Sequence, residues 1–291
     1  MERILFGDNQ FFGINHMSEE KARQQAMRFQ DIGAIIDTLQ IALHAGAGGF
    51  MCTTHDKIGQ IASAVRADPA RWEGFTFYPG MPYAHKYANA VTELGYFDAA
   101  RKFLPSEGLV DTILRGSKAV LTKDIESMMT LLVDAEMKMF EGLKTPVVFL
   151  QNVVTDLVQG LGFVDAFRVF SDHIKARYGA EAGFITMNVP KLLPMLKDAG
   201  LDNPIVCANY NKIGFRMSGG IDGYRETLAR YPARMIAMSV LASGGIRPRE
   251  AIEWICGEPH VESILFGASS RANIEQTVAL IHEFDAARVQ A

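Results

Sequence analysis

Short apolar runs recur eight times along the chain, at residues 4–7, 49–52, 75–78, 147–150, 184–187, 205–208, 235–240 and 263–266. Most show none of the alternation of a half-exposed strand, and so suit parallel strands covered on both faces. Between the runs, apolar residues take helical spacing. Ile35, Leu39 and Leu43 do so before Gly46, as do residues 164–178 before Gly179, and residues 251–255 and 274–284 later in the chain. Pro190 and Pro248 stand near predicted helix starts, where a missing N–H costs little, and Gly46, Gly179 and Gly200 stand where helices should end. The alternation predicts an α/β fold, a (β/α)8 TIM barrel.

One connection breaks the period. About sixty residues separate the third run from the fourth, far more than a loop inside a compact barrel. Segments 91–104, 109–121 and 125–143 carry helical patterns, so 82–144 is predicted to be a helical insertion, serving as a lid over the catalytic face or as an oligomer contact. No linker, repeat or low-complexity stretch divides the chain, and residues 1–291 are expected to form a single barrel domain.

Composition narrows the class of function. A net charge of −4 with 48% hydrophobic and 21% charged residues gives no electrostatic bias toward nucleic acid or an anionic membrane. Cys52, Cys207 and Cys256 are odd in number and have no CxxC spacing, which argues for a reducing compartment without a disulfide framework or zinc ribbon. No secretory signal or span-length apolar stretch is visible, so the cytoplasm is the expected location.

Barrel chemistry resides where strands end. The residues just past the runs are polar: Asp8, Asn9 and Gln10; Thr53, Thr54, His55 and Asp56; Tyr78, His85 and Lys86; Gln151 and Asn152; Asn188; Asn209, Tyr210, Asn211 and Lys212. Such a ring reads as a site for a small polar molecule. His55 is the first candidate for proton transfer, because imidazole titrates near neutral pH, with Asp8, His85 or Asn152 as its partner from a neighbouring strand end. A rim histidine that is merely hydrogen-bonded is the alternative. Asn9, Gln10, Asn152, Asn188, Asn209 and Asn211 are candidate substrate ligands through their amides.

The last two runs lead into small residues and then helices. Ser243, Gly244 and Gly245 follow one, and Ser269, Ser270 and Arg271 follow the other. Free backbone N–H groups there would bind an anion, with phosphate the expected guest. His16, His55 and His85 follow the first three runs, but no HxH or HExxH pair fixes two ligands on one element, and no metal site is assigned. Lys86 and Lys212 sit in loops rather than strands, which weakens a Schiff-base reading. Cys52 has no adjacent base and reads as a buried filler.

The last third of the chain resembles the aldo-keto reductase superfamily. The likeness lies in Ala208-Asn209-Tyr210-Asn211, in Ala237 through Gly245, and in Gly267-Ala268-Ser269-Ser270 with Asn273, Ile274 and Gln276. It implies a nicotinamide dinucleotide, NADP, with Ser243, Gly244, Ser269, Ser270 and Arg271 at its phosphates. The family's Asp, Tyr, Lys and His tetrad is not matched. Cys52 stands at the Asp position, Tyr78-Pro79 where a Lys is expected, and Gln151-Asn152 where a His is expected.

Three functions follow. The first is a reductase-like barrel with a non-standard site, doing acid–base chemistry on a small polar or phosphorylated metabolite through His55. The second is an NADP-dependent oxidoreductase with His55 or Tyr78 as the replacement proton donor. The third is a non-catalytic barrel that binds a metabolite or a partner, a homo-oligomer included.

Overall fold

The computed structural model describes residues 1–14, 18–83 and 118–290. Eight parallel strands close in sequence order: β1 (Ile4–Gly7), β2 (Gly49–Cys52), β3 (Thr76–Met81), β4 (Val147–Leu150), β5 (Glu181–Thr186), β6 (Ile205–Asn209), β7 (Arg234–Met238) and β8 (Val261–Phe266), with β8 pairing back to β1. The helices are α1 (Glu19–Arg28), α2 (Ile32–Ala45), α3 (Asp56–Ala67), α4 (Lys118–Met137), α5 (Asn152–Leu161), α6 (Val164–Tyr178), α7 (Val189–Asp198), α8 (Gly220–Arg230), α9 (Pro248–Cys256) and α10 (Arg271–Gln290). This is the predicted (β/α)8 barrel, and every predicted run falls on a strand. Segment 91–104 and residues 109–117 of the predicted insertion lie outside the described residues; its return leg includes α4.

Period-two alternation splits the core into two. Leu5, Met51, Tyr78, Val147, Phe149, Ile205, Cys207 and Ile236 fill the barrel interior, while their strand neighbours Phe6, Phe50, Phe77, Val148, Phe184 and Val206 pack outward against the helices. At the N-terminal end Arg3 closes the ring. Its guanidinium donates to Asp285 of α10 at 2.7 and 2.8 Å and to the carbonyls of Val261 and Glu262.

One strand boundary shifts the reading of the site. The apolar pattern stops β3 at Tyr78 because Pro79 follows, yet the strand runs on to Met81. Proline lacks a ladder donor, which normally bars it from central strands. Here the strand changes partner beside it: residues 76–79 pair with β2, and Gly80 and Met81 pair with β4. The lost donor therefore costs little, and the rim of β3 lies several residues later than the pattern implies.

Candidate active site

At the ends of β1, β2 and β3 the chain gathers a carboxylate, a phenol and an imidazole. β1 ends at Gly7, and Asp8 opens the 3-10 turn Asn9–Phe12. The Asp8 carboxylate is 7% exposed, and its Oδ2 accepts from the Thr53 backbone N–H at 2.7 Å and the Thr53 hydroxyl at 2.9 Å. Burial raises its pKa against the opposing pull of those bonds. Tyr83, half-buried just beyond β3, has its phenol raised by burial and by the charge of Asp8.

His55 completes the group. Its ring lies 4.5 Å from that of Phe12 and 6.1 Å from that of Tyr83, centroid to centroid. It is also the N-cap of α3, where its Nδ1 accepts the Lys57 backbone N–H at 3.1 Å. An accepting Nδ1 carries no proton, so the neutral ring bears its hydrogen on Nε2.

A buried carboxylate frames these side chains from behind. Glu136 of α4 is 2% exposed, and its oxygens accept from the Thr54 hydroxyl at 2.6 Å and the Tyr83 backbone N–H at 3.1 Å. Thr54 precedes His55, so a single side chain anchors the chain at both the imidazole and the phenol. Neither Tyr83 nor Glu136 is singled out by the sequence pattern, which places Thr53 on the rim without giving it a role.

Tyr78 is the clearest displacement from expectation. It is wholly buried inside the barrel, and its hydroxyl accepts the Glu2 backbone N–H at 3.3 Å, at the N-terminal end. The side chain therefore leaves the rim, and the rim tyrosine of β3 is Tyr83. His16, His85 and Lys86 lie outside the described residues. Among the described residues no three His, Cys, Asp or Glu side chains converge as metal ligands.

The rim amides divide between surface and scaffold. Asn9 is exposed in the 3-10 turn and Asn152, the first residue of α5, is partly exposed. Gln10, 4% exposed, donates to the Gly7 carbonyl at 2.7 Å. Its Oε1 would stand 2.3 Å from a Cβ on Gly267, so only glycine lets Gln10 bridge the ends of β1 and β8. Asn188 caps α7 by accepting the Lys191 N–H at 3.2 Å. Asn209 donates to the Arg216 carbonyl and the Met187 sulfur, each at 3.0 Å. Asn211 clamps its own loop, taking the Phe215 N–H at 2.8 Å and giving to the Phe215 carbonyl at 2.9 Å. These last three hold the rim in shape.

The ends of β7 and β8 differ from each other. After β7, Ser239, Ala242, Ser243 and Gly244 have φ of 55, 46, 56 and 93°. That left-handed turn spends the N–H groups of Ala242, Gly244 and Gly245 on its own carbonyls at 2.8 to 3.1 Å, which corrects the expectation of free donors throughout this loop. After β8, Ser270 caps α10 through its hydroxyl, which accepts the Asn273 N–H at 3.3 Å. The backbone N–H groups of Ala268, Ser269 and Ser270 have no partner among the described residues. Arg271 stands exposed and pairs with Glu275 at 3.1 Å.

No known family pattern matches the sequence, and no curated protein does. Solved structures do. A Pseudomonas aeruginosa protein described as an aldo-keto reductase superposes with a TM-score of 0.59 over 97% of this chain and 90% of its own, at 14% identity. The aldose reductase of Giardia lamblia gives 0.56 over 98% and 90% at 11% identity, and an aldo/keto reductase of Brucella melitensis gives 0.55 over 98% and 93% at 10% identity. The fold is that of the aldo-keto reductases. Cys52 is buried with its thiol pushed well up by burial and then by Asp8, β3 ends in Gly80 and Met81, and Gln151 donates its backbone N–H to the Met81 carbonyl at 3.0 Å. Among the described residues, no helix is long and apolar enough to cross a membrane.

Proposed function

We propose that the chain is an NADP-dependent oxidoreductase acting on a carbonyl compound, with Tyr83 in place of the missing tetrad donor. The observation that carries this reading is the meeting of Tyr83, His55 and Asp8 on one side of a reductase-type barrel mouth. The β8 end suits the cofactor: the unpartnered amides of Ala268, Ser269 and Ser270 at the start of α10 fit a phosphate. Bound there, NADPH would supply the hydride.

The side chains of this protein supply the rest. A phenol whose pKa is raised stays protonated at neutral pH, so Tyr83 can give its proton to the carbonyl oxygen as the carbon is reduced. His55, with its hydrogen on Nε2, donates a second hydrogen bond to that oxygen. Burial and the Asp8 charge hold the proton on Tyr83 until a stronger base forms, and the alkoxide oxygen made by hydride addition is that base. The test is fluorescence titration with NADPH followed by turnover of a carbonyl panel. Binding in the micromolar range, with Tyr83→Phe losing on the order of 10²-fold or more in turnover at unchanged NADPH affinity, supports the reading; absence of binding at millimolar NADPH refutes it.

A second reading is acid–base chemistry without a redox step on a phosphorylated metabolite. The self-bonded β7 turn favours it, since a single phosphate at the β8 end needs no help from that loop. Native mass spectrometry separates the two: a co-purified sugar phosphate favours the second, a dinucleotide the first.

A further inference from the structure

Beside the barrel mouth, the 3-10 turn Asn9–Phe12, α1 and the start of α3 enclose a cleft of about 600 Å³, lined by Phe12, Ile14, Ala26, His55, Lys57 and Tyr83. Gly13 makes it possible. Its φ is +65°, and a Cβ there would stand 2.7 Å from the Ala22 carbonyl oxygen and 2.8 Å from the Ala26 Cβ, so only glycine lets the turn close onto α1. Among the described lining residues Phe12, Ile14 and Ala26 are apolar, His55 and Tyr83 add ring faces with polar tips, and Lys57 brings the one charged side chain. Its ammonium donates to the Phe29 carbonyl at 2.9 Å and has no carboxylate partner among the described residues. One neutral acceptor leaves two of its three donors and its whole charge for something else.

We infer that the substrate is an aromatic oxo-acid, its ring packed on the Phe12, His55 and Tyr83 wall of the cleft and its carboxylate paired with Lys57. This rests on the proposed oxidoreductase reading, because His55 and Tyr83 belong both to the cleft and to the proton-transfer group. Ring faces reward a flat apolar group, an ammonium rewards a carboxylate, and the volume falls in the range of small-molecule sites. In the reaction the keto carbon accepts the hydride of NADPH and the keto oxygen accepts the Tyr83 proton, giving the hydroxy acid and NADP⁺; solvent then reprotonates Tyr83.

The test is calorimetric titration of the full chain, without cofactor, using phenylpyruvate, pyruvate, which lacks the ring, and phenylacetone, which lacks the carboxylate. Phenylpyruvate is expected to bind about tenfold or more tightly than either, as one added charged contact or ring contact warrants. Lys57→Met should remove its advantage over phenylacetone, Lys57→Arg should retain it, and Phe12→Ala should weaken both aromatic ligands alike. Equal affinity for phenylpyruvate and phenylacetone in the wild-type chain overturns the inference even if no variant folds. A parallel NADPH titration separates the two claims. NADPH binding without discrimination among the three acids and ketones sinks this inference alone, whereas Lys57-dependent phenylpyruvate binding without NADPH binding upholds the cleft and sinks the redox reading.

Discussion

The backbone N–H of Tyr83 donates to both oxygens of Glu136 at 3.1 Å, across 53 residues of sequence. The same carboxylate takes the Thr54 hydroxyl at 2.6 Å, so one residue of α4 ties the backbone that carries the rim phenol to the backbone that carries the imidazole. Removing one buried acceptor strands its donors at a cost of about 1–3 kcal/mol each. Glu136→Ala should therefore destabilise the fold by about 2–4 kcal/mol in a urea melt, with Glu136→Gln losing less because its carbonyl still accepts one bond.

Tyr78 and Tyr83 should separate cleanly. The Tyr78 hydroxyl accepts the Glu2 N–H at the far end of the barrel, so Tyr78→Phe should cost about 1 kcal/mol of stability and leave turnover unchanged. Tyr83→Phe should lose on the order of 10²-fold or more in turnover with little change in melting temperature. Steady-state kinetics and a thermal melt on both variants decide this; loss of activity in Tyr78→Phe would return the proton donor to β3's interior.

Asp8 makes stability depend on pH in a definite sense. Burial raises its folded pKa above the ordinary 3.8. Between those two values the unfolded chain has released the proton and the folded chain still holds it, so folding takes up a proton and stability falls as pH rises through the folded value. Asp8→Asn, which keeps an acceptor for Thr53, should flatten that decline and gain stability at neutral pH relative to pH 4. Denaturant melts at several pH values measure it, and an unchanged slope would count against a raised Asp8.

Glu258 acts in the opposite sense. It is 4% exposed, and although burial opposes ionisation, bonds from the Arg225 guanidinium and from the Tyr210 hydroxyl at 2.7 Å hold its pKa below the ordinary 4.5. The stability this contributes is present above 4.5 and is lost as pH falls through the lower folded value. Glu258→Gln should be less stable than wild type at neutral pH and approach it below pH 4, read from acid titration of the melting temperature.

The sequence by itself determined the barrel. Strand and helix are written in local periods, and helix 164–178 and strands 4–7, 49–52 and 147–150 take the bounds that their patterns predict, because apolar spacing and Gly or Pro punctuation act over a few residues. It also placed Asp8 and His55 at strand ends. What only the tertiary structure decided is which polar groups point where. Pro79 hid the end of β3 because its missing donor is harmless only where the strand passes from β2 to β4, and that displaced the rim tyrosine from 78 to 83. Glu136 was invisible because its partners lie 53 and 82 residues away. The β7 turn spends its amides through left-handed φ values at residues with side chains, a choice that local composition does not announce. Periodicity carries information over a turn of helix or a pair of strand residues, whereas a site is made by pairings that exist only once the ring has closed.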